Sequence, residues 1–393
     1  MSDAARTTNL GIVGWDEYEY VVSDLERAAR FYTENMKLSE VATRDPRRAA
    51  ETGEDAVLFA AGKARVVCVV PKQEGSRAQR WLKRHPEGVA VLGVRVRNAE
   101  ETRRRLEERG ATFITAIVDE RDGEGRSYRW FETATPLGDV RFRFVERASG
   151  ALPPGFRRIE PAAHANPYEL QVIDHVTSNF LTIAPHVSWL RDVMGFEEYW
   201  RVHFHTADIH GGEGGSGLAS IVMWDPESGI KLANNEPAAP NYEASQIYKF
   251  VETNHGPGVQ HVAFHLPKIV PAVEGLKRSG IDFLDTPVTY YDMLPQRLAE
   301  KRISNFRDNI EELRHLGILV DGEDDRYLLQ IFMVEGGVMY SSEIAGPFFY
   351  ELIQRRGARG FGEGNFRALF EAIERDQSAR TALQSHYISG AGS

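Results

Sequence analysis

The feature of this sequence that most constrains its fold is a pattern that occurs twice along the 393 residues. In each half, a segment with the alternating pattern of a strand is followed by a segment with helical spacing of apolar residues and by a second alternating segment. A later strand in each half begins at a glycine. The early strands are predicted at 14–21 and 172–176, and the later strands at 88–94 and 258–264. Repetition on this scale predicts duplicated units that bury one another's apolar faces.

The order of these segments predicts an α+β fold. We expect duplicated βαβββ modules that form two open β-barrel domains. Proline and glycine cluster at 152–155, and the polar segment that follows is typical of a linker. An N-terminal domain is therefore predicted over 1–152 and a C-terminal domain over 165–393. Beyond the last strand, residues 366–376 carry apolar side chains at helical spacing, which predicts a C-terminal helix.

Composition and charge exclude several classes of protein. Hydrophobic residues make up 42% of the chain and charged residues 26%, which is typical of a globular protein. The net charge of -10 disfavours binding to nucleic acid or to an anionic membrane. The apolar runs are strand-sized and no signal peptide is visible, so we expect a cytoplasmic protein that does not span a membrane. The single cysteine, Cys68, cannot form an internal disulfide and is expected to be a buried core residue in a reducing compartment.

Two histidines occupy related positions in the second half. His175 lies on its first strand and His261 on its later strand. The matching positions in the first half are Glu17 and Val91, so no metal site is expected there. A histidine considered singly is more often a buried core residue than a metal ligand. If the second half curls into an open barrel, however, both imidazoles face one cavity and form a candidate metal site.

A carboxylate on the last strand would complete this site. Glu351 lies in the apolar segment 347–353, where burial of a carboxylate is costly unless a positive partner is present, and a bound cation would be such a partner. Two imidazoles and one carboxylate with open positions beside them are typical of non-haem iron(II) oxygenases. The alternative is that Glu351 forms an ion pair with Arg355 or Arg356.

The remaining histidines are interpreted without a functional role. His203 and His205 alternate on one face of a strand, and no acidic residue accompanies them at the spacing of metal ligands. A half-exposed strand face is therefore the favoured interpretation for this pair. His186 and His315 are expected to be surface residues.

Several motifs follow one another in order along the second half: Ile173-Asp174-His175-Val176-Thr177, Gly195-Phe196-Glu197-Glu198-Tyr199, Asn235-Glu236-Pro237, Ser245-Gln246-Ile247, Gly256-Pro257-Gly258-Val259-Gln260-His261-Val262-Ala263, Leu328-Leu329-Gln330-Ile331-Phe332, Phe349-Tyr350-Glu351-Leu352-Ile353-Gln354-Arg355, and Gly360-Phe361-Gly362-Glu363-Gly364-Asn365-Phe366-Arg367-Ala368-Leu369-Phe370-Glu371. With these motifs, the region from about 173 to 377 resembles the 4-hydroxyphenylpyruvate dioxygenase family of the vicinal oxygen chelate superfamily. The first half resembles the family in layout only.

The resemblance implies that His175, His261 and Glu351 are iron(II) ligands. It implies an aryl 2-oxo acid substrate that chelates the iron, with O2 as the second substrate. In the family's reaction, oxidative decarboxylation and ring hydroxylation with side-chain migration convert 4-hydroxyphenylpyruvate to homogentisate, a step of tyrosine catabolism. The resemblance also implies that the chain forms a homo-oligomer, either a dimer or a tetramer.

A substrate pocket is implied in the same way. The polar positions that match those orienting the ring end of the substrate are Ser220, Asn235, Gln246 and Gln260. Phe332 and Phe366 match an aromatic pair that sandwiches the ring, an arrangement that stacking favours. The further matches to the pocket wall are Gln330, which we also place among the catalytic residues, Phe349, Phe361 and Asn365. The helix that starts at Phe366 would act as a lid.

Two departures from the family pattern leave alternatives open. The family usually has a proline and an aliphatic residue before its Asn-Glu-Pro motif, where this chain has Ala233-Asn234, and segment 333–346 is longer than expected. One alternative is 4-hydroxymandelate synthase, which uses the same ligands and substrate but hydroxylates the benzylic carbon, or a dioxygenase for a related aryl 2-oxo acid. Another is a metal-free small-molecule binding protein on the same fold.

Overall fold

The structure is a computed structural model, and it describes residues 9–160, 166–206, 215–360, 364–365, 367–368 and 370. Most of the described chain belongs to two β-sheets and the helices that cover them. The strands of the first sheet are β1 (Ile12–Val21), β2 (Ser39–Arg44), β3 (Glu54–Ala61), β4 (Ala64–Pro71), β5 (Gly88–Val96), β6 (Val118–Arg121), β7 (Ser127–Thr133), β8 (Arg141–Arg147) and β9 (Phe156–Arg158). Its strand order is β6-β7-β8-β5-β1-β4-β3-β2-β9.

The second sheet repeats this arrangement with eight strands. They are β10 (Val172–Asn179), β11 (Glu197–His205), β12 (Gly217–Trp224), β13 (Lys231–Ala238), β14 (Gly258–His265), β15 (Leu319–Glu323), β16 (Arg326–Phe332) and β17 (Phe349–Arg356). Their order is β11-β12-β13-β10-β14-β17-β16-β15. Apart from β9, the two sheets therefore match strand for strand.

The helices connect strands within each module and, in the case of α3 and α6, one module with the next. They are α1 (Leu25–Arg30), α2 (Pro46–Thr52), α3 (Arg77–Leu82), α4 (Ala99–Glu108), α5 (Ala184–Asp192), α6 (Gln246–Thr253), α7 (Ile269–Arg278), α8 (Val288–Asp292), α9 (Leu294–Glu300), α10 (Ile310–Leu316) and α11 (Gly336–Met339). A π-helical turn, Phe31–Asn35, continues α1, and short 3-10 turns occupy Tyr242–Ala244 and Glu343–Ala345. Caps fix several helix starts; for example, the Asn98 side chain accepts from the Glu101 amide at the start of α4.

Each half consists of two βαβββ modules, as the sequence predicts. Each module starts with one strand, runs through a helix and adds three strands, and its first and last strands pair in parallel. The first strands of the two modules of a half then pair with each other in the antiparallel sense, β1 with β5 and β10 with β14. The predicted α+β fold with two curled, barrel-like sheets is confirmed. The domain limits at 152 and 165 stay a prediction, and β9, which follows residue 152, pairs with β2 of the first sheet.

A buried cluster of phenols joins the two halves. The Tyr350 hydroxyl on β17 shares hydrogen bonds with the hydroxyls of Tyr18 and Tyr32 from the first half. Cys68 lies on β4 with no exposed surface, which confirms the expected core position, and burial raises the pKa of its thiol. Within the described residues, no helix has the length and apolar character that a membrane crossing needs.

Candidate metal centre

The register of the second sheet brings three distant side chains together. On β14, Ala263 is aligned with His175 of β10 on one side and with Glu351 of β17 on the other. His261 lies two residues before Ala263 on the same strand and therefore projects from the same face. Because the residue between His175 and Glu351 carries only a methyl group, the two long side chains can meet above it.

The three polar ends are close to one another and shielded from solvent. The Glu351 Oε2 atom lies 3.2 Å from His175 Nε2 and 3.3 Å from His261 Nε2. The two imidazole rings are 5.8 Å apart and nearly perpendicular. All three residues are at most 3% exposed. The side chains that the sequence predicts to converge are thus brought to one point in the barrel.

The outer nitrogen of each imidazole has its own partner. His175 Nδ1 lies 3.0 Å from Asp174 Oδ1, and His261 Nδ1 lies 3.2 Å from Gln260 Oε1. These contacts favour the tautomer that carries its proton on Nδ1 and leaves the Nε2 lone pair free for a metal. Sequence reasoning missed the role of Asp174, although a carboxylate next to a candidate ligand histidine is a signal for it.

Burial and ion pairing act in opposite directions on the pKa values of this group. Burial alone would lower the pKa of His175, but the charges of Glu351 and Asp174 raise it above its usual value. The pKa of His261 is lowered because burial outweighs the effect of Glu351. Burial would raise the pKa of Glu351, yet the two histidines hold it below its usual range. The carboxylate is therefore ionised and ready to bind a cation.

The two arginines near Glu351 pair with other carboxylates. Arg355 donates from two nitrogens to Asp174, at 2.6 and 2.7 Å, and Arg356 lies 3.5 Å from Asp308. The interpretation of Glu351 as the ion-pair partner of either arginine is therefore wrong. Arg355 also donates to the carbonyl of Gly360, which links the support of His175 to the start of the C-terminal segment.

The group fits a small transition-metal ion. Imidazole nitrogens and carboxylate oxygens bind such ions at roughly 2.0–2.2 Å, so two ligand atoms at right angles around one ion lie about 3 Å apart. The separations of 3.2 and 3.3 Å agree with that arrangement. Among the described residues, this is the only group of three or more potential ligands whose binding atoms lie within 4.8 Å of one another.

A wall of buried polar side chains adjoins the three residues. Asn179, Asn235 and Ser220 are aligned across β10, β13 and β12, and the Asn235 Nδ2 atom donates to Asn179 Oδ1 at 3.0 Å. Several buried polar atoms of this half have no hydrogen-bond partner among the residues that the structure describes: Ser220 Oγ, Asn235 Oδ1, Asn179 Nδ2, Gln330 Oε1 and Asn365 Nδ2. Buried polar atoms are rarely left unpaired, so both donors and acceptors are available here for a ligand or for water.

A second polar pair and two aromatic rings complete the surroundings. Gln260 donates to Gln246 Oε1 at 3.1 Å, which connects the partner of His261 to α6. The Phe349 ring stacks on the His261 imidazole at 4.9 Å, and the Phe332 ring stands edge-on to the Phe349 ring at 6.4 Å. Phe349 thus supports a candidate ligand directly, a role that the sequence did not reveal.

Part of the predicted pocket lies in the C-terminal segment. Asn365 is buried and accepts a hydrogen bond from the Tyr290 hydroxyl at 2.7 Å. Phe370 packs against Leu218 and Ile247. Phe361 and Phe366 lie outside the described residues, as does most of the predicted lid helix 366–376, so these predictions are not tested.

The two residues of the first departure are placed differently: Ala233 shares the face of Asn235 on β13, and Asn234 does not. Asn234 follows the alternation of β13 and faces the opposite side from Asn235, where its Nδ2 atom donates to the Ile221 carbonyl at 2.9 Å. The long segment 333–346 contacts the first half, since the Glu87 amide donates to the Ile344 carbonyl. Neither departure inserts a charged side chain between the three candidate ligands.

The positions expected for the other histidines are partly confirmed. His203 and His205 are exposed on β11, and His315 is exposed as well. The surface position expected for His186 is wrong, because this residue is 1% exposed and its ring stacks between the rings of Phe180 and Trp189. Burial lowers the pKa of His186 to about 3. Aromatic neighbours explain why an uncharged histidine is tolerated there.

Comparisons with known proteins agree with the geometry. The profile of the Glyoxalase/Bleomycin resistance protein/Dioxygenase superfamily matches residues 14–137 and 172–308, one match in each half. The chain is 33% identical to 4-hydroxyphenylpyruvate dioxygenase of Caenorhabditis briggsae, with 97% of this chain and 96% of the relative covered. It is 34% identical to the enzyme of the same name from Dictyostelium discoideum, with 77% and 81% covered. A mutant of 4-hydroxymandelate synthase from Streptomyces coelicolor is a structural match, with a TM-score of 0.78, 25% identity and coverage of 93% and 99%.

Proposed function

Because this chain belongs to the 4-hydroxyphenylpyruvate dioxygenase family, within the Glyoxalase/Bleomycin resistance protein/Dioxygenase superfamily, we propose that it converts 4-hydroxyphenylpyruvate and O2 to homogentisate and CO2. The reaction is an oxidative decarboxylation coupled to ring hydroxylation, during which the side chain migrates on the ring. The observation that carries the proposal is the buried group of His175, His261 and Glu351 in a half whose described part leaves several buried polar atoms without hydrogen-bond partners.

Iron(II) is the metal that we assign to these three residues. Two imidazoles and one carboxylate on one side of an ion leave neighbouring positions for a chelating 2-oxo acid and for O2. When bound, the iron supplies the activation of O2 at the expense of the 2-oxo acid. Asp174 and Gln260 would hold the imidazole rings in orientation, because each accepts from the Nδ1 side of one ring.

The remaining residues would orient the substrate and keep water away. A phenol both donates and accepts hydrogen bonds, and the Ser220 hydroxyl and the Asn235 amide oxygen, which have no partner in the described part of the chain, would make such contacts. Phe332 and Phe349 would place apolar rings beside the aromatic ring of the substrate. We assign substrate contacts to all members of the predicted set: Ser220, Asn235, Gln246, Gln260, Phe332, Phe349, Phe361, Asn365 and Phe366, with Gln330 close to the reacting groups.

A second candidate activity is that of 4-hydroxymandelate synthase, which the match to the structure from Streptomyces coelicolor favours. Both activities consume the same substrate and O2, so only the product separates them. Protein loaded anaerobically with iron(II) is mixed with 4-hydroxyphenylpyruvate and then with O2, and the product is identified by chromatography. We expect homogentisate. 4-Hydroxymandelate would replace the proposed reaction with that of the synthase, and an iron-loaded protein that consumes no O2 would exclude both.

A catalytically inactive variant serves as the control for this experiment. His261→Ala should give neither product, because it removes one candidate ligand from the interior of the barrel. Product formation at the wild-type rate in this variant would place the reaction elsewhere.

We further propose that the protein is cytoplasmic and forms a dimer or a tetramer. The lone buried cysteine, which cannot form an internal disulfide, supports the compartment. Light scattering of the purified protein tests the assembly state, and a mass of one 44.2 kDa chain would contradict it.

A further inference from the structure

A small cavity lies between the two halves, next to the candidate metal centre. It has a volume of about 40 Å³, and its wall includes residues from α1, from segment 333–346 and from the start of β17. A single buried water needs roughly 10–15 Å³, so there is room for roughly three molecules of that size. An aryl 2-oxo acid is too large for this space, whereas a diatomic gas fits.

One residue belongs both to the wall of this cavity and to the surroundings of the metal centre. Phe349 lines the cavity, and its ring stacks on the His261 imidazole at 4.9 Å. Val334 also lines the cavity and packs against the apolar cluster that contains Phe349 and Phe332. The side chain of Phe349 therefore stands between the cavity and a candidate iron ligand.

The wall of the cavity is mostly apolar, in contrast to the polar wall formed by β10, β12 and β13. Its two charged residues, Arg27 and Glu87, pair with each other. The Tyr32 hydroxyl shares a hydrogen bond with the Tyr350 hydroxyl. Among the described residues, no member of this wall has a buried polar side-chain atom without a hydrogen-bond partner. Apolar cavities stay dry and bind apolar molecules such as xenon.

The wall changes from half-buried residues at one end to fully buried residues at the other. Met339 and Tyr340 are half-buried, whereas Phe349 and Tyr350 are each 2% exposed. Segment 333–346, which is longer than the family pattern predicts, supplies five members of the wall: Met333, Val334, Gly336, Met339 and Tyr340. This segment therefore forms the outer part of a passage that leads from the surface toward Phe349.

We propose that this cavity takes up O2 from solvent and is the route by which O2 reaches the candidate metal centre, past the Phe349 ring. O2 is small and apolar, so it moves favourably from water into an apolar cavity. A charged 2-oxo acid would lose its hydration there. The inference rests on the proposed function, because a protein that consumes no O2 needs no route for it. A separate route would leave the polar side of the barrel to the organic substrate.

Gas-pressurised crystals test the cavity as a binding site without any turnover. Crystals of the full-length protein are exposed to xenon and, separately, to krypton, and anomalous diffraction locates the bound atoms. We expect a peak of at least one gas in the cavity beside Phe349. Absence of both gases from the cavity would overturn the proposal. This result does not depend on catalysis, so it stays distinct from a failure of the proposed reaction, which the wild type would show as absence of O2 consumption.

Two substitutions narrow the cavity from opposite walls. Ala28→Leu adds bulk from α1, and Met339→Trp adds bulk from α11. Each should lower kcat/KM for O2 by roughly tenfold, because a narrowed route slows association, whose rate varies over about 1–3 decades among related variants. An oxygen electrode measures these rates at saturating 4-hydroxyphenylpyruvate. The KM for 4-hydroxyphenylpyruvate and the iron(II) content should stay at their wild-type values.

Val338→Trp is the matched control. Val338 precedes Met339 in α11, but it is exposed and is not part of the described wall. Its kcat/KM for O2 should equal that of the wild type. Circular dichroism verifies that the variants are folded, and Ala28→Leu remains informative if Met339→Trp does not fold. An unchanged kcat/KM for O2 in the folded narrowing variants, or an equal decrease in Val338→Trp, would overturn the proposed route.

Discussion

Replacing Asp174 with asparagine removes one charge behind the candidate metal centre and keeps the shape of the side chain. Asp174 accepts from His175 Nδ1 at 3.0 Å and from two nitrogens of Arg355 at 2.6 and 2.7 Å. Loss of one partner of a buried ion pair costs roughly 3–5 kcal/mol. Arg355 keeps its bonds to the carbonyls of Ala358 and Gly360. We therefore expect a loss near the lower end, about 3 kcal/mol in the free energy of unfolding.

The same substitution should weaken metal binding. The Arg355 guanidinium holds the pKa of Asp174 well below its usual range against the effect of burial, so the native residue presents a full negative charge to His175. A neutral amide orients the ring less firmly and makes Nε2 a weaker donor to the metal. Removing such an outer partner typically costs 10–100-fold in affinity, and we expect about 30-fold, or about 2 kcal/mol.

Two measurements check this prediction on metal-free Asp174→Asn protein. Urea unfolding gives the stability, and anaerobic titration gives the iron(II) affinity. The matched control is Asp308→Asn, because Asp308 pairs with the half-exposed Arg356 at 3.5 Å. The free energy of unfolding of that variant should fall by less than about 1 kcal/mol, and its iron(II) affinity should equal that of the wild type. An Asp174→Asn protein that is destabilised but binds iron(II) as tightly as the wild type would refute the reasoning, since the carboxylate would then be a structural ion pair only.

Four further outcomes are expected. His175→Ala and Glu351→Ala should each lose bound iron(II), measured as metal content after dialysis, with an unchanged circular dichroism spectrum; normal metal content in either would reject the ligand assignment. Ala263→Val adds bulk between His175 and Glu351 and should weaken iron(II) binding by roughly tenfold or more. Unchanged affinity would show that the small side chain at this position is not needed for the two ligands to meet. Tyr290→Phe removes the hydrogen bond to Asn365, together with those to the Val320 backbone, and should raise KM more than it lowers kcat in steady-state kinetics; an effect on kcat alone would contradict the assignment of Asn365 to substrate binding. Neutral His186 has its pKa lowered from 6.5 to about 3, so its contribution to stability is complete above pH 6.5 and is lost as pH falls toward 3. Between neutral pH and pH about 5, the free energy of unfolding measured with urea should fall by about 2 kcal/mol more in the wild type than in His186→Phe. Equal losses in the two proteins would contradict the assignment of this pH dependence to His186.

Much of the fold was predictable because the duplication repeats local signals. The later strands are predicted at 88–94 and 258–264, and β5 and β14 start at the predicted glycines and extend one or two residues further. The parallel pairing of the first and last strand of each module was harder to predict from the sequence, because it depends on contacts between segments far apart in the chain. The added pairing of β9 with β2 shows the same limit, because a three-residue strand carries too little pattern to be recognised.

The sequence was sufficient to predict the three candidate ligands of the site, but not the neighbouring residues that position them. His175 and His261 stand at repeated positions, and Glu351 is conspicuous as an acid in an apolar strand. The methyl group of Ala263 between two of them depends on strand register, which the sequence does not display. His186 was misplaced because a histidine is compatible with both core and surface, and only its stacking partners decide.

The central claim is that three side chains, distant in sequence, hold one ferrous ion inside the second barrel. Anomalous diffraction from crystals of the iron(II)-loaded protein, grown without oxygen, tests it most directly. We predict a single iron peak bonded to His175 Nε2, His261 Nε2 and the Glu351 carboxylate. An iron peak on other side chains, such as the exposed His203 and His205, with none between the three predicted ligands, would contradict the account.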